Sequence, residues 1–189
     1  AALYAWYTNH ATSREIAIEQ DSMLGSFLGP SFNDNQIEEV LNEIGANYVK
    51  LETAELIERV VDAMTKEYAV GWMQGRMEFG PRALGARSII ADPRSSKIQK
   101  QLNLKVKYRE SFRPFAPSVL EEYFRDWFQL EPFSPYMLLV ADVHPNHTIE
   151  MSSSDQKLFG IEKLNVVRSS VPAITHVDYS ARIQTVHKK

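Results

Sequence analysis

Apolar residues recur along this chain at two periods, and the switches between them mark its elements. Ile37, Val40, Leu41 and Ile44 fall three and four residues apart, the spacing of one helix face. Ser31 with Asp34 three residues on has the form of a capping box and Gly45 closes the segment, so the pattern predicts a helix over 31–45. A second helix is predicted from Thr53, read as its cap, with Leu56, Ile57, Val60, Val61 and Met64 as a buried stripe and Glu55 and Glu58 outward. Between the two, residues 48–51 are of β type and predict a short strand. Residues 1–9 are apolar and aromatic without a start signal of their own, the look of a helix end whose surface a neighbouring domain covers. Residues 12–29 show little periodicity and run into Leu28-Gly29-Pro30, which reads as a linker.

Further on the apolar runs shorten. Residues 69–73 and 88–91 predict two strands joined by an irregular Gly/Arg loop. Residues 95–107 suit a basic helix with Ile98, Leu102 and Val106 inward, and 118–128 mix apolar and acidic residues at helical spacing. Residues 136–143 (YMLLVADV) form the clearest strand pattern of the chain. Residues 144–170 read as a long excursion, and 174–177 and 183–186 as two strands around an Asp-Tyr-Ser turn. This mixture predicts an α/β (α+β) fold.

Length and composition, 189 residues with 44% hydrophobic and 24% charged, allow one sizeable core plus a fragment. The absence of cysteine excludes a disulfide framework, a thiolate metal site and a cysteine nucleophile, and it fits a reducing compartment, so the cytoplasm is the expected location. No apolar run reaches the roughly 20 residues that span a bilayer, and no membrane partner is expected. The missing initiator Met suggests a piece of a longer protein.

Charge changes the picture more. Residues 74–113 hold ten Lys/Arg (Arg76, Arg82, Arg87, Arg94, Lys97, Lys100, Lys105, Lys107, Arg109, Arg113) against Glu78, Asp92 and Glu110, a local +7 in a chain of net charge −3. Such a local field focuses an anionic ligand at one place rather than making the whole surface adhesive. Within 75–94, Gly75, Gly80 and Gly85 allow close backbone approach while Arg76, Arg82 and Arg87 offer planar forks for phosphate oxygens. Neither a Walker nor a Rossmann glycine pattern is present. A solvated basic face would have the same composition, and Lys97, Lys100 and Lys105 are read that way. Pro114 and Pro117 fix the backbone around Phe115 and so hold Arg113 at a defined place, with Glu110 able to orient a neighbouring guanidinium. His144, His147 and Glu150 are spaced like metal ligands but lack an element to aim them, and no metal site is expected in this chain. His176 and Asp178 sit near Arg182 at an expected strand end.

The strings GRMEFGPRALGARSIIADPR (75–94), RESFRPFAPSVL (109–120) and ITHVDYSARIQTV (174–186) closely resemble the C-terminal part of the O-carbamoyltransferases of the nodulation, cephamycin and tobramycin type. The resemblance covers about 28–186, and residues 1–27 resemble the tail of a sugar-kinase-like domain plus linker. It implies a YrdC-like twisted mixed β-sheet with flanking helices over 28–189. It further implies that this domain binds carbamoyl phosphate and ATP with Mg²⁺ and forms carbamoyl-adenylate, while the preceding domain, carrying its own metal ion, passes the carbamoyl group to a hydroxyl. Carried over by the motifs, Arg76, Arg82, Lys107, Arg113 and Arg182 hold the phosphates and the carbamoyl group, with Arg87, Ser88, Arg109, His176 and Gly80 around them. Arg76 with Arg82 and Lys107 with Arg113 are expected as two clamps facing one polyphosphate. The family continues beyond the segment matching 185–189 into an Asn-Thr-Ser-Phe-Asn motif, so a chain ending at Lys189 is expected to be truncated and incomplete for transfer. Two other readings share features with this one. A threonylcarbamoyl-adenylate synthase has the same fold and chemistry but different motifs. An RNA-binding module would use the basic face, but few exposed aromatics for base stacking are interleaved with it and the rest of the chain is −10, so no nucleic-acid partner is expected.

Overall fold

The three longest helices lie in the first third of the chain and all the strands after them in the computed structural model, which describes residues 2–10, 13, 21 and 23–187. In chain order the elements are α1 (Ala2–His10), α2 (Asp34–Glu43), α3 (Thr53–Thr65), β1 (Val70–Met73), β2 (Arg87–Ile90), α4 (Ile98–Gln101), β3 (Ser118–Leu120), α5 (Phe124–Trp127), β4 (Phe128–Gln129), β5 (Leu139–Val143), α6 (Ser153–Gln156), α7 (Ile161–Leu164) and β6 (Ser180–Val186). Half of the expected linker over 12–29 lies outside the described residues; its later part holds a 3-10 turn at Leu24–Ser26. None of the described helices is long and apolar enough to cross a membrane.

The architecture is the mixed α+β one that the pattern predicts. β1 and β2 form an antiparallel pair, with Val70 opposite Ile90 and Met73 opposite Arg87. The second sheet has the order β3-β6-β5-β4, with β3 parallel to β6 and the other pairs antiparallel. β6 is therefore central. Ala141, Val143, Ala181 and Ile183 meet Phe128, Val171 and Ile174 in its core, and a second cluster joins Ile98 and Leu102 to Ala173.

Several local readings are corrected. The cap of α2 is Asn33, not Ser31: Asn33 Oδ1 accepts the Gln36 N–H at 2.9 Å and Gln36 Oε1 accepts the Asn33 N–H at 3.0 Å, since a capping box needs its acceptor at the third helical position, where Asp34 does not lie. Thr53 is the first residue of α3, and the cap, Glu52, makes no side-chain bond. Residues 48–51 find no strand partner; Tyr48 instead donates toward Glu38 and Asn42 and ties the segment to α2. Residues 118–120 pair with β6 rather than starting a helix, because a neighbouring strand edge outweighs weak helical spacing. Residues 174–177 turn rather than extend, with the His176 N–H on Ser180 O at 2.7 Å. Residues 102–106 are a π turn, closed by the Lys107 N–H on Leu102 O, and the wider turn rotates Val106 outward. The stripes expected to be buried on α2 and α3 stay largely open, Ile44 at 68% and Ile57 at 51% exposure.

Candidate anion-binding site

The loop from β1 to β2 is built around a buried carboxylate. Glu78 is only 3% exposed, and its Oε1 accepts the N–H groups of Leu84 at 2.6 Å, Ala86 at 2.9 Å and Arg87 at 3.4 Å. Its other oxygen faces Arg87 Nε at 3.3 Å, and Arg87 in turn donates to the carbonyls of Glu78 and Gly80. Burial alone would raise the Glu78 pKa, but the backbone N–H groups outweigh it and hold the carboxyl below its ordinary value, so it is an anion. Gly80 has φ +150°, a conformation that L side chains avoid, and this lets the chain double back around the carboxylate. Ser88 Oγ accepts the Gly85 N–H at 3.1 Å and braces the far side.

This scaffold holds Arg82 near enough to Arg182 for the charge of one to act on the other. Burial lowers the Arg182 pKa first, and the neighbouring charge of Arg82 lowers it further. Among the described residues neither guanidinium makes an ion pair, and Arg82 Nε is buried without a hydrogen-bond partner. Gln184, buried on β6 two residues beyond Arg182, accepts from Ser118 Oγ at 2.9 Å and donates to Leu84 O at 2.7 Å, so the loop is pinned onto the sheet. Two like charges within reach of each other and without a counter-ion repel, and an anion arriving between them would remove that repulsion. Arg76 lies outside this pair, with its Nε on Gly29 O at 3.0 Å.

The 107–113 segment is organised separately, by Asn103. Fully buried within the π turn, it donates to the carbonyls of Ser111 and Arg113 at 3.0 and 2.8 Å and accepts from Arg109 Nε at 2.6 Å. Arg109 also lies over the Phe115 ring at 5.0 Å. Arg113 pairs with Glu110 at 2.8 Å, and Lys107 is exposed and makes no side-chain bond among the described residues.

His176 stands between the two parts. Its Nδ1 meets Ser180 Oγ at 2.9 Å, while Ser180 donates to Asp178 Oδ1 at 2.7 Å. The Ser180 hydroxyl proton is thus committed to the carboxylate, so Nδ1–H is the donor and Nε2 is left as an acceptor. Burial lowers the His176 pKa most; Asp178 opposes this and Arg182 adds to it, so the ring is neutral near pH 7. His144 Nδ1 is taken by the Asn146 N–H and His147 stacks on Trp127 at 3.8 Å, which gives both histidines structural duties. Glu78, Asn103 and Gln184 carry the geometry, yet the sequence reading gave none of them a site role. A lone Glu between two Gly/Arg repeats was the one available signal.

Residues 61–189 match the family model described as Carbamoyltransferase C-terminus. The uncharacterized protein sll1178 of Synechocystis sp. is 51% identical over 189 residues, covering 99% of this chain and 31% of that protein. Nodulation protein NolO of Bradyrhizobium diazoefficiens is 35% identical over 167 residues, covering 86% of this chain and 27% of the relative. The 3'-hydroxymethylcephem-O-carbamoyltransferase of Streptomyces clavuligerus is 38% identical over 124 residues, covering 66% and 19%. The chain thus spans less than a third of each of these relatives.

Proposed function

Because the chain belongs to the carbamoyltransferase C-terminus family, we propose that it is the part of an O-carbamoyltransferase that activates the carbamoyl group, using carbamoyl phosphate and ATP. In balanced form, carbamoyl phosphate and water give carbamate and inorganic phosphate; a carbamate oxygen then displaces pyrophosphate from the α-phosphorus of ATP, leaving carbamoyl-adenylate. The carbamoyl group passes to a hydroxyl in a preceding sugar-kinase-like region of the same polypeptide, of which 1–27 would be the tail. The length of the relatives and the hydroxymethyl acceptor in the name of the cephem enzyme support this division. A cytoplasmic setting belongs to the same reading.

The observation that carries the reading is Arg82, without an ion-pair partner among the described residues, held on a loop locked by Glu78 where its charge reaches Arg182 on β6. Neither reaction needs a protein nucleophile. Each builds negative charge on phosphate oxygens, and cations fixed in advance stabilise that charge without reorganising. The described residues offer no cluster of three His, Asp or Glu to ligate Mg²⁺. Mg²⁺ brought in with the triphosphate would supply further charge neutralisation. Arg87, tied to Glu78, and Arg109, tied to Asn103, act as positioning residues in this scheme.

The test is pyrophosphate release by the intact gene product with ATP. Release that depends on carbamoyl phosphate and falls at least about 100-fold in Arg82→Ala, the scale of losing one charge-assisted donor in a dry site, supports the reading. Release driven by threonine and bicarbonate instead, or left intact by Arg82→Ala, overturns it.

A further inference from the structure

The segment ahead of α2 is strapped onto residues 76–79 of the glycine–arginine loop. The Gly29 N–H donates to Met77 O and the Met77 N–H to Pro30 O, both at 2.9 Å. The Phe79 N–H donates to Ser26 O at 2.7 Å, and Arg76 Nε closes on Gly29 O at 3.0 Å. Between the two gripped residues, Met77 and Phe79, stands Glu78, the carboxylate around which the loop is folded. The approach is too close for a side chain. A Cβ at Gly29 would stand 2.9 Å from Met77 O, a backbone atom that no change of rotamer moves away.

The far end of the strap is fastened too. Asp21 accepts the N–H groups of Met23 at 3.0 Å and Gly25 at 2.8 Å, and also the hydroxyl of Tyr136, just ahead of β5 in the second sheet. Burial and then Asp21 push the Tyr136 pKa up to about 12, so its hydroxyl stays a donor at neutral pH. Leu24 and Ser26 take φ of +49° and +68°, a conformation that residues with a Cβ seldom adopt and that persists only where the surroundings dictate it. Ser26 is buried, and its carbonyl is the one that grips Phe79. The segment is thus held at both ends, on one sheet's loop and on the approach to the other sheet.

We propose that this strap positions the anion site, with Gly29 and Asp21 as positioning residues that act through Glu78. With 23–30 in place, the backbone on either side of Glu78 is fixed, and Glu78 in turn holds the N–H groups of Leu84, Ala86 and Arg87. Arg82 lies in the span between Glu78 and Leu84, so its guanidinium is kept where its charge reaches Arg182. The part of the proposal that concerns carbamoyl phosphate rests on the activation reading above. In the polypeptide proposed there the strap is also the covalent path from the preceding region, so drawing that region's tail away from 76–79 releases Glu78 with it.

Amide hydrogen exchange on the intact gene product, with calorimetric titration by carbamoyl phosphate, tests it. Gly29→Ala wedges the strap off Met77, and Asp21→Asn/Tyr136→Phe unfastens its far end without adding bulk. Exchange of the Leu84 and Ala86 N–H groups should speed up at least about tenfold in the first variant and about threefold in the second. The Lys107 and Arg109 N–H groups, bonded within the π-turn region, should exchange as before. Gly29→Ala should weaken carbamoyl phosphate by about tenfold, and Gly29→Ala/Arg82→Ala should bind it no more weakly than Arg82→Ala alone, because a strap that acts through Arg82 then has nothing left to position. Should Gly29→Ala fail to fold, the Asp21→Asn/Tyr136→Phe variant, alone and combined with Arg82→Ala, gives the same readings. Unchanged exchange at Leu84 and Ala86, exchange speeded equally at Lys107 and Arg109, or additive losses in the combined variant overturn the strap's role and leave the activation reading standing. An unsubstituted protein that does not bind carbamoyl phosphate overturns the activation reading, and exchange at Leu84 and Ala86 still decides whether the strap holds the loop.

Discussion

Replacing Glu78 with alanine tests whether a carboxylate is what shapes the glycine–arginine loop. The substitution strands three N–H groups. Those of Leu84 and Ala86 are on buried residues, while that of Arg87 reaches water more easily. At about 1–3 kcal/mol for each buried donor left unpaired, and less for the third, the loss is about 4 kcal/mol before relief of the carboxylate's own desolvation brings it nearer 3. Against a total stability of about 5–15 kcal/mol that is a large fraction. Urea unfolding of the intact gene product should show the midpoint falling by about 1–2 M at an unchanged slope. Glu78→Gln keeps one acceptor oxygen for the three N–H groups; it replaces the pairing with Arg87 across 3.3 Å by an amide NH2 facing a second donor, a smaller loss than stranding all three, so it should cost less than alanine. The sign with pH follows from the direction of the shift. A carboxyl whose pKa is lower in the folded state stabilises fully above its ordinary value and loses that contribution as pH falls through the folded one. The unsubstituted protein should therefore lose more stability than Glu78→Gln on going from about pH 5 to pH 3. A Glu78→Ala cost below about 0.5 kcal/mol, or identical costs for the two variants, would refute the idea that N–H satisfaction organises the loop.

Arg82→Ala should bind carbamoyl phosphate at least about tenfold more weakly, yet leave the protein as stable or slightly more so at low salt, because it removes a repulsion; parallel calorimetry and thermal melts at two salt concentrations separate the effects. Asn103→Ala leaves the carbonyls of Ser111 and Arg113 and the Nε of Arg109 without their partner, which should cost about 2–3 kcal/mol and open the 109–113 segment to limited proteolysis. The His176 ring should titrate below its ordinary 6.5 when followed by its Cε1 proton resonance, and Arg182→Ala should move that midpoint upward; an unchanged midpoint would deny the proximity of the two groups.

The apolar periods and the Gly/Arg/Pro order were enough to place α2, α3, β1, β2 and β5, to set the mixed fold class, and to point at 75–94 and 105–117 as the charged centre. These are local properties. A helix face or a strand run is written in neighbours a few residues apart, and a cluster of cations is visible by counting. Pairing across the chain is not. β3 exists because β6 lies beside it, and 174–177 turn because Ser180 O takes the His176 N–H. The open faces of α2 and α3 show the same limit, since periodicity says which face is apolar and never what covers it. At the site, arginines could be listed from the sequence, but only folding decided that the charge of Arg82 reaches Arg182, 100 residues on, while Arg87, Arg109 and Arg113 are claimed by Glu78, Asn103 and Glu110. A side chain's charge is fixed by its type, whereas its freedom to meet a ligand depends on which neighbours have already claimed it, and those neighbours are chosen by the tertiary structure.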